Sequence, residues 1–146
     1  NKVMGIEIGK YVNLCYITIL ISAGYGLLGN FAGLGGVAIP GGLIFSLLGL
    51  VGLILTLLAL FVFKDKFSGL DMSHFKYIGI IFAAFLVLGI VLGGTLFKMG
   101  FVGLLLIIVI SAVQFALFFA GYRTYKAGIE ATKDTIIGNL KSGFKG

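Results

Sequence analysis

The sequence predicts an all-α membrane protein: a four-helix transmembrane bundle with a cytoplasmic C-terminal amphipathic helix. Three observations carry this reading. First, 60% of the 146 residues are hydrophobic and only 11% are charged. A soluble domain usually has about 45–50% apolar and about 25% charged residues. Second, no charged residue falls between Lys10 and Lys64, between Lys76 and Lys98, or between Lys98 and Arg123. Charge-free apolar runs of about 18 residues or more are span candidates. The first gap has room for two spans and each of the others for one. Third, LLGLVGLILTLLALFVF and GLLLIIVI are apolar on every face. Barrel strands would alternate apolar and polar residues, so helices fit and strands do not.

The spans follow in order within residues 1–122. The first, 11–30, begins after Lys10 and ends at the uncharged, Gly-rich linker FAGLGGVAIPGG. The second, 42–63, ends at Lys64. Its 22 residues reach roughly 33 Å at about 1.5 Å per residue, enough for a hydrocarbon layer of about 30 Å. The polar loop KDKFSGLDMSHFK separates it from the third span, 77–97. Only Lys98, Met99 and Gly100 precede the fourth span, 101–122, so the last two form a tight helical hairpin.

Charge sets the orientation. The segments before the first span, between the second and third, and after the fourth must share one side. They hold ten of the eleven basic residues, and Lys98 alone is opposite. The positive-inside rule then places both termini and the central loop in the cytoplasm of a multi-pass cell-membrane protein. The net charge of +6 flanks apolar spans, so anionic headgroups, not nucleic acid, are the expected partner. The chain begins at Asn1, which fits processing or truncation, and no secretory signal pattern is visible.

The tail, 123–146, has its own pattern. Ile129, Ile136, Ile137, Leu140 and Phe144 fall within an arc of about 100° on a helical wheel. A helix bound at the cytoplasmic surface is expected over Arg123–Gly146, with Lys126, Lys133, Lys141 and Lys145 toward the membrane surface. Lys126 and Lys133 fall inside the apolar arc, where they can snorkel to headgroups or meet an acidic protein. Glycines at 128, 138 and 143 weaken the helix.

Little chemistry is visible. No Asp, Glu, Lys, Arg or His lies inside a span, and intramembrane catalysis or ion coupling usually needs one. Glu7 pairs most simply with Lys10 on the same helix face. Gln114 is the most polar side chain within a span. Its amide must find a partner, and packing between helices is the simpler role than solute binding. His74 titrates in the range of a pH sensor, but no partner residue completes a metal or catalytic set. Cys15, the single cysteine, reads as a small packing residue. Gly24, Gly26 and Gly29 match G-x-G-x-x-G, yet the strand–turn–helix context and the acidic residue about 20 positions on are missing. No cofactor or metal site is expected, and no enzyme activity.

Small residues four apart let helices approach closely in lipid. Ser22, Gly26 and Asn30 form one such row, and Gly89 and Gly93 a second. Ala112, Ala116 and Ala120 form a third. Helix packing is their expected role, within one chain or between copies.

At GLIFSLLGLVGLILTLLAL, followed by FKDKFSGLDMSHFKYIGIIFAA, the chain resembles small four-span membrane proteins of unknown function common in archaea. The resemblance implies a fold and carries no functional residues with it. The tight hairpin and the basic tail fall outside it. The expected function is structural: a non-catalytic membrane subunit that self-assembles or joins a larger membrane complex. The alternative is a channel or carrier for a small or apolar solute, lined by Gln114, Ser111 and Thr56.

Overall fold

The computed structural model describes residues 2, 3 and 6–145. Helices make up almost all of it. The single extended piece among the described residues is a pairing of β1 (Lys2–Val3) with β2 (Ile6–Glu7). Then come α1 (Ile8–Leu34), α2 (Gly42–Phe61), α3 (Gly69–Lys98), α4 (Phe101–Lys126) and α5 (Lys133–Lys145). The first four are long and apolar enough to cross a membrane. They pack in a ring, α1–α2–α3–α4, with α1 and α3 on the diagonal and α5 against α4.

Three helices are longer than their apolar stretches. The expected polar loop shrinks to a 3-10 turn, Lys64–Lys66, and its flanks. The reason is local: Ser68 caps α3, accepting from the Asp71 backbone N–H at 3.3 Å. A serine cap satisfies a donor that the first helical turn leaves open, so α3 starts eight residues before Tyr77. It thereby takes His74 out of a loop and onto a helix. The helix expected over 123–146 is broken. α4 runs on to Lys126, and α5 begins only at Lys133. Gly128, at φ 74°, takes the left-handed conformation that glycine adopts without penalty and that ends helices.

One end of the bundle carries the start of α1, the end of α2, the start of α3 and the end of α4; we call it the basic end. Lys98 marks the opposite end. The core lies toward the basic end: Tyr11, Val12, Cys15, Tyr16, Phe75 and Ile78 are wholly buried. Aromatic rings dominate it, with Tyr11, Phe67 and Phe75 in mutual contact at centroid distances of 4.9–5.6 Å. Tyrosine hydroxyls tie the helices together: Tyr11 donates to the Leu55 carbonyl and Tyr77 to the Leu117 carbonyl, both at 2.6 Å. Glu7 and Lys10 form an exposed ion pair at 3.7 Å, of a kind that contributes little to stability.

The opposite end is looser. Leu43, Ile44, Leu86, Ile90, Val91 and Phe97 are all exposed. The linker between α1 and α2 is held by Tyr25. Its hydroxyl lies 2.7 Å from the Ile39 carbonyl oxygen and 2.6 Å from that of Pro40, and its ring stacks on Phe45 at 4.2 Å. The α3–α4 turn closes so tightly that a Cβ on Gly103 would collide with the Leu96 carbonyl.

Candidate functional site

Polar side chains away from the two ends gather at mid-bundle. A small cavity of about 150 Å³ is lined by Ser22, Gly26, Gly49, Ser111 and Gln114, among apolar neighbours including Phe82. Phe82, Ser111 and Gln114 also line a second, larger space of about 340 Å³. This one is an open groove between α3 and α4, bounded by Gly89 and Gly93. Gln114 therefore faces both spaces. It is half-buried, and none of the described residues hydrogen-bonds its amide. An amide that opens onto a groove in hydrocarbon has no water to bond. The position favours an occupant or a neighbour that supplies a hydrogen bond.

The three small-residue rows separate in the structure. Ser22 lies against α2, where a Cβ on Gly49 would sit 2.6 Å from its Oγ. Asn30 crosses to α4, its Nδ2 donating to the Ser111 Oγ at 2.9 Å. Gly26 meets nothing within 4 Å. Gly89 and Gly93 likewise meet nothing within the chain: a Cβ on either would find open space. They lie on the groove, where α3 and α4 diverge. In the alanine row, Ala120 is buried at 3% exposure. Ala112 and Ala116 are half-buried, and Ala116 lines a recess that Asn139 and Leu140 of α5 border.

The close approaches lie elsewhere. A Cβ on Gly52 would sit 2.6 Å from the Thr18 Oγ1 and 2.7 Å from Ile19. A Cβ on Gly121 would sit 2.6 Å from the Tyr77 ring and 2.8 Å from the Tyr16 hydroxyl. Gly49 and Gly52 are three apart, and Gly121 has no small residue four positions away. A search for four-residue spacing passes over Gly49 and Gly121 and offers Gly52 only a pairing with Thr56. The G-x-x-G step in LLGLVGLIL was the signal available.

His74 is wholly buried. Its Nε2 lies 3.0 Å from the Ile129 carbonyl oxygen. A carbonyl only accepts, so Nε2 carries the proton, and Nδ1 accepts from the Tyr16 hydroxyl at 2.7 Å. Beside it, the Ala131 N–H donates to the Ser73 Oγ at 3.1 Å. The Asn139 Nδ2 donates to the Thr124 Oγ1 at 2.6 Å. The bonds made by Ile129, Ala131 and Asn139 fasten the tail to α3 and α4.

The basic tail residues spread over its surface. Lys126 is exposed, with its Nζ 5.6 Å from the centre of the Tyr122 ring. Lys133 and Lys141 are exposed on α5, on which Ile136 is buried at 4% exposure. The side chains of Phe144 and Lys145 lie outside the described residues. Cys15 is buried and free. Among the described residues, no three His, Cys, Asp or Glu side chains come together. The mid-bundle cavity and groove offer hydroxyl and amide hydrogen bonds, apolar surface and no charge. No family model, characterised protein or solved structure matches the chain.

Proposed function

We propose that the chain is a non-catalytic integral membrane subunit that assembles through the α3–α4 groove, with a second copy or with a larger membrane complex. One observation carries this reading: Gly89 and Gly93 meet nothing inside the chain, and the unpartnered Gln114 amide faces the same groove. Small residues let a second helix approach closely in lipid, and an amide crossing between helices adds about 0.6 kcal/mol on average. Coverage agrees. The most apolar stretch of α3 is 11% buried, against 28% for those of α1 and α2. Both termini face the cytoplasm in this reading, because the positive-inside rule places the basic end there. α5 is then an amphipathic helix at the cytoplasmic surface.

The test is the mass of the intact assembly in mild detergent. We expect Gly93→Leu to shift the protein to a smaller species without lowering its unfolding temperature, because the position is open within the chain. A wild-type protein that is monomeric and bound to no other protein, in detergent and in native membrane extracts, would overturn the proposal.

A second reading has an observation of its own. Ser22, Ser111 and Gln114 border the smaller mid-bundle cavity, which gives a small solute a place to bind in a carrier. Gln114→Leu separates the two: loss of solute flux with assembly intact favours the carrier.

A further inference from the structure

We infer that the groove between α5 and the α3–α4 face is a binding site for one phospholipid with an anionic headgroup. The groove holds about 460 Å³, within the roughly 300–1,000 Å³ typical of ligand sites. Lys76 and Lys133 line it, together with Ile80, Leu117, Ile137 and Leu140. Both lysines are exposed. Neither has an acidic partner: Glu7–Lys10 is the sole ion pair among the described residues. Glu130 and Asp134 are nearby in sequence but do not line the groove.

Charge and shape together choose the occupant. Two unpaired ammonium groups call for an anion. Below them the walls are apolar, and Ile80 and Leu117 belong to helices that can cross the membrane. A free phosphate would leave that apolar surface uncovered, and an uncharged lipid would leave the lysines unmatched. An amphiphile with an anionic head and acyl chains satisfies both, and basic pockets between helices at a membrane surface take such heads. Lysine stems lie along apolar surface while their charged ends reach the headgroup layer. α5 supplies one wall of the groove. Its docking, through His74, Ser73 and Thr124, is what builds the site.

This inference rests on the membrane-spanning reading and not on assembly, because lipid is counted per chain. The full-length protein in neutral detergent is titrated with phosphatidylglycerol, with phosphatidylcholine as control, and bound lipid is counted by native mass spectrometry. We expect one tightly held phosphatidylglycerol per chain and no comparable phosphatidylcholine. Lys76→Gln with Lys133→Gln should weaken it about 25-fold, the leaflet attraction of two basic residues. Lys126→Gln with Lys141→Gln removes the same charge outside the groove and should leave binding near the wild-type value. Ile137→Trp, which fills the groove at constant charge, should also weaken it. All of these changes are at exposed positions, and an unchanged unfolding temperature verifies the fold. Equal losses in the two lysine pairs, or no loss in either, would reduce the effect to diffuse surface charge and overturn the site. So would wild-type binding by Ile137→Trp, or equal retention of the two lipids.

Discussion

The two ends of the bundle are built on different principles. At the basic end, aromatic rings interlock and most buried polar groups find partners, Tyr16 with His74, His74 with Ile129 and Asn139 with Thr124, while the buried Asn13 Oδ1 has none among the described residues. At the opposite end, large apolar side chains point outward. The groove between α3 and α4 stays open beside Gly89 and Gly93. The difference follows from what each end must do. In lipid, apolar contact between helices carries no hydrophobic advantage over contact with acyl chains. Rigidity must then come from close packing and from hydrogen bonds, and the basic end concentrates both. Toward the loose end Gly89 and Gly93 stay open, and the mid-bundle Gln114 amide faces the same groove.

The largest expected effect comes from placing the same substitution at both ends. Gly121→Val would drive a side chain into the Tyr77 and Tyr16 rings, which leave no room for a Cβ. Overpacking of a filled core costs about 1–3 kcal/mol, and sometimes more. We expect a large fall in unfolding temperature, or loss of folded protein. Gly93→Val enters open space and should leave the stability of the fold within about 0.5 kcal/mol of wild type. Similar losses at the two sites would mean that the ends are equally packed.

Next in size is the histidine fastening. His74→Leu removes an imidazole that partners both the Tyr16 hydroxyl and the Ile129 carbonyl. The Tyr16 hydroxyl is left buried and unpaired, at a cost of order 1–3 kcal/mol, whereas the carbonyl of the exposed Ile129 can turn to water. The connector 127–132 should become a preferred site of limited proteolysis, while the α1–α2 linker is cut no faster than before. Its counterpart is Asn30→Leu, which removes the bond to Ser111. Bonds of that kind average about 0.6 kcal/mol, so a much smaller change is expected. A tail that resists protease as well in His74→Leu as in wild type would show that the bond from His74 to Ile129 is not what fastens it.

Much of the fold was legible because charge is so sparse. The gaps between Lys10, Lys64, Lys76, Lys98 and Arg123 delimit four apolar helices without any knowledge of packing. What hydropathy missed is what local hydrogen bonding decides. Ser68 caps α3 and draws the polar residues from Gly69 to Lys76 into the helix, so His74 becomes an internal residue. The site was less legible. Gln114 stood out by its chemistry, whereas the link from Asn30 to Ser111 depends on how far α1 extends past its most apolar stretch. The split among the glycines depends on helix crossing, which spacing along one helix cannot encode: Gly52 and Gly121 are pressed against neighbours, and Gly89 and Gly93 are not.

The smallest effect expected tests whether the loose end has any fixed structure of its own. Among the described residues, the linker after α1 is tied to the bundle by the Tyr25 hydroxyl, within hydrogen-bond reach of the Ile39 and Pro40 carbonyls. Tyr25→Phe keeps the ring and its stacking on Phe45 but removes the donor. These carbonyls belong to exposed residues, so water can replace the lost bond. The stability cost should therefore fall near the low end of the usual range of about 0.5–1.5 kcal/mol. Local order is the better readout. Amide hydrogen exchange at Val37–Ile39 should speed up, while exchange at Tyr16 and His74 stays unchanged, because local openings need not couple to the rest of the structure. If Tyr25→Phe speeds exchange at the basic end as well, the bundle opens as one unit, and the contrast between its ends is one of shape and not of stability.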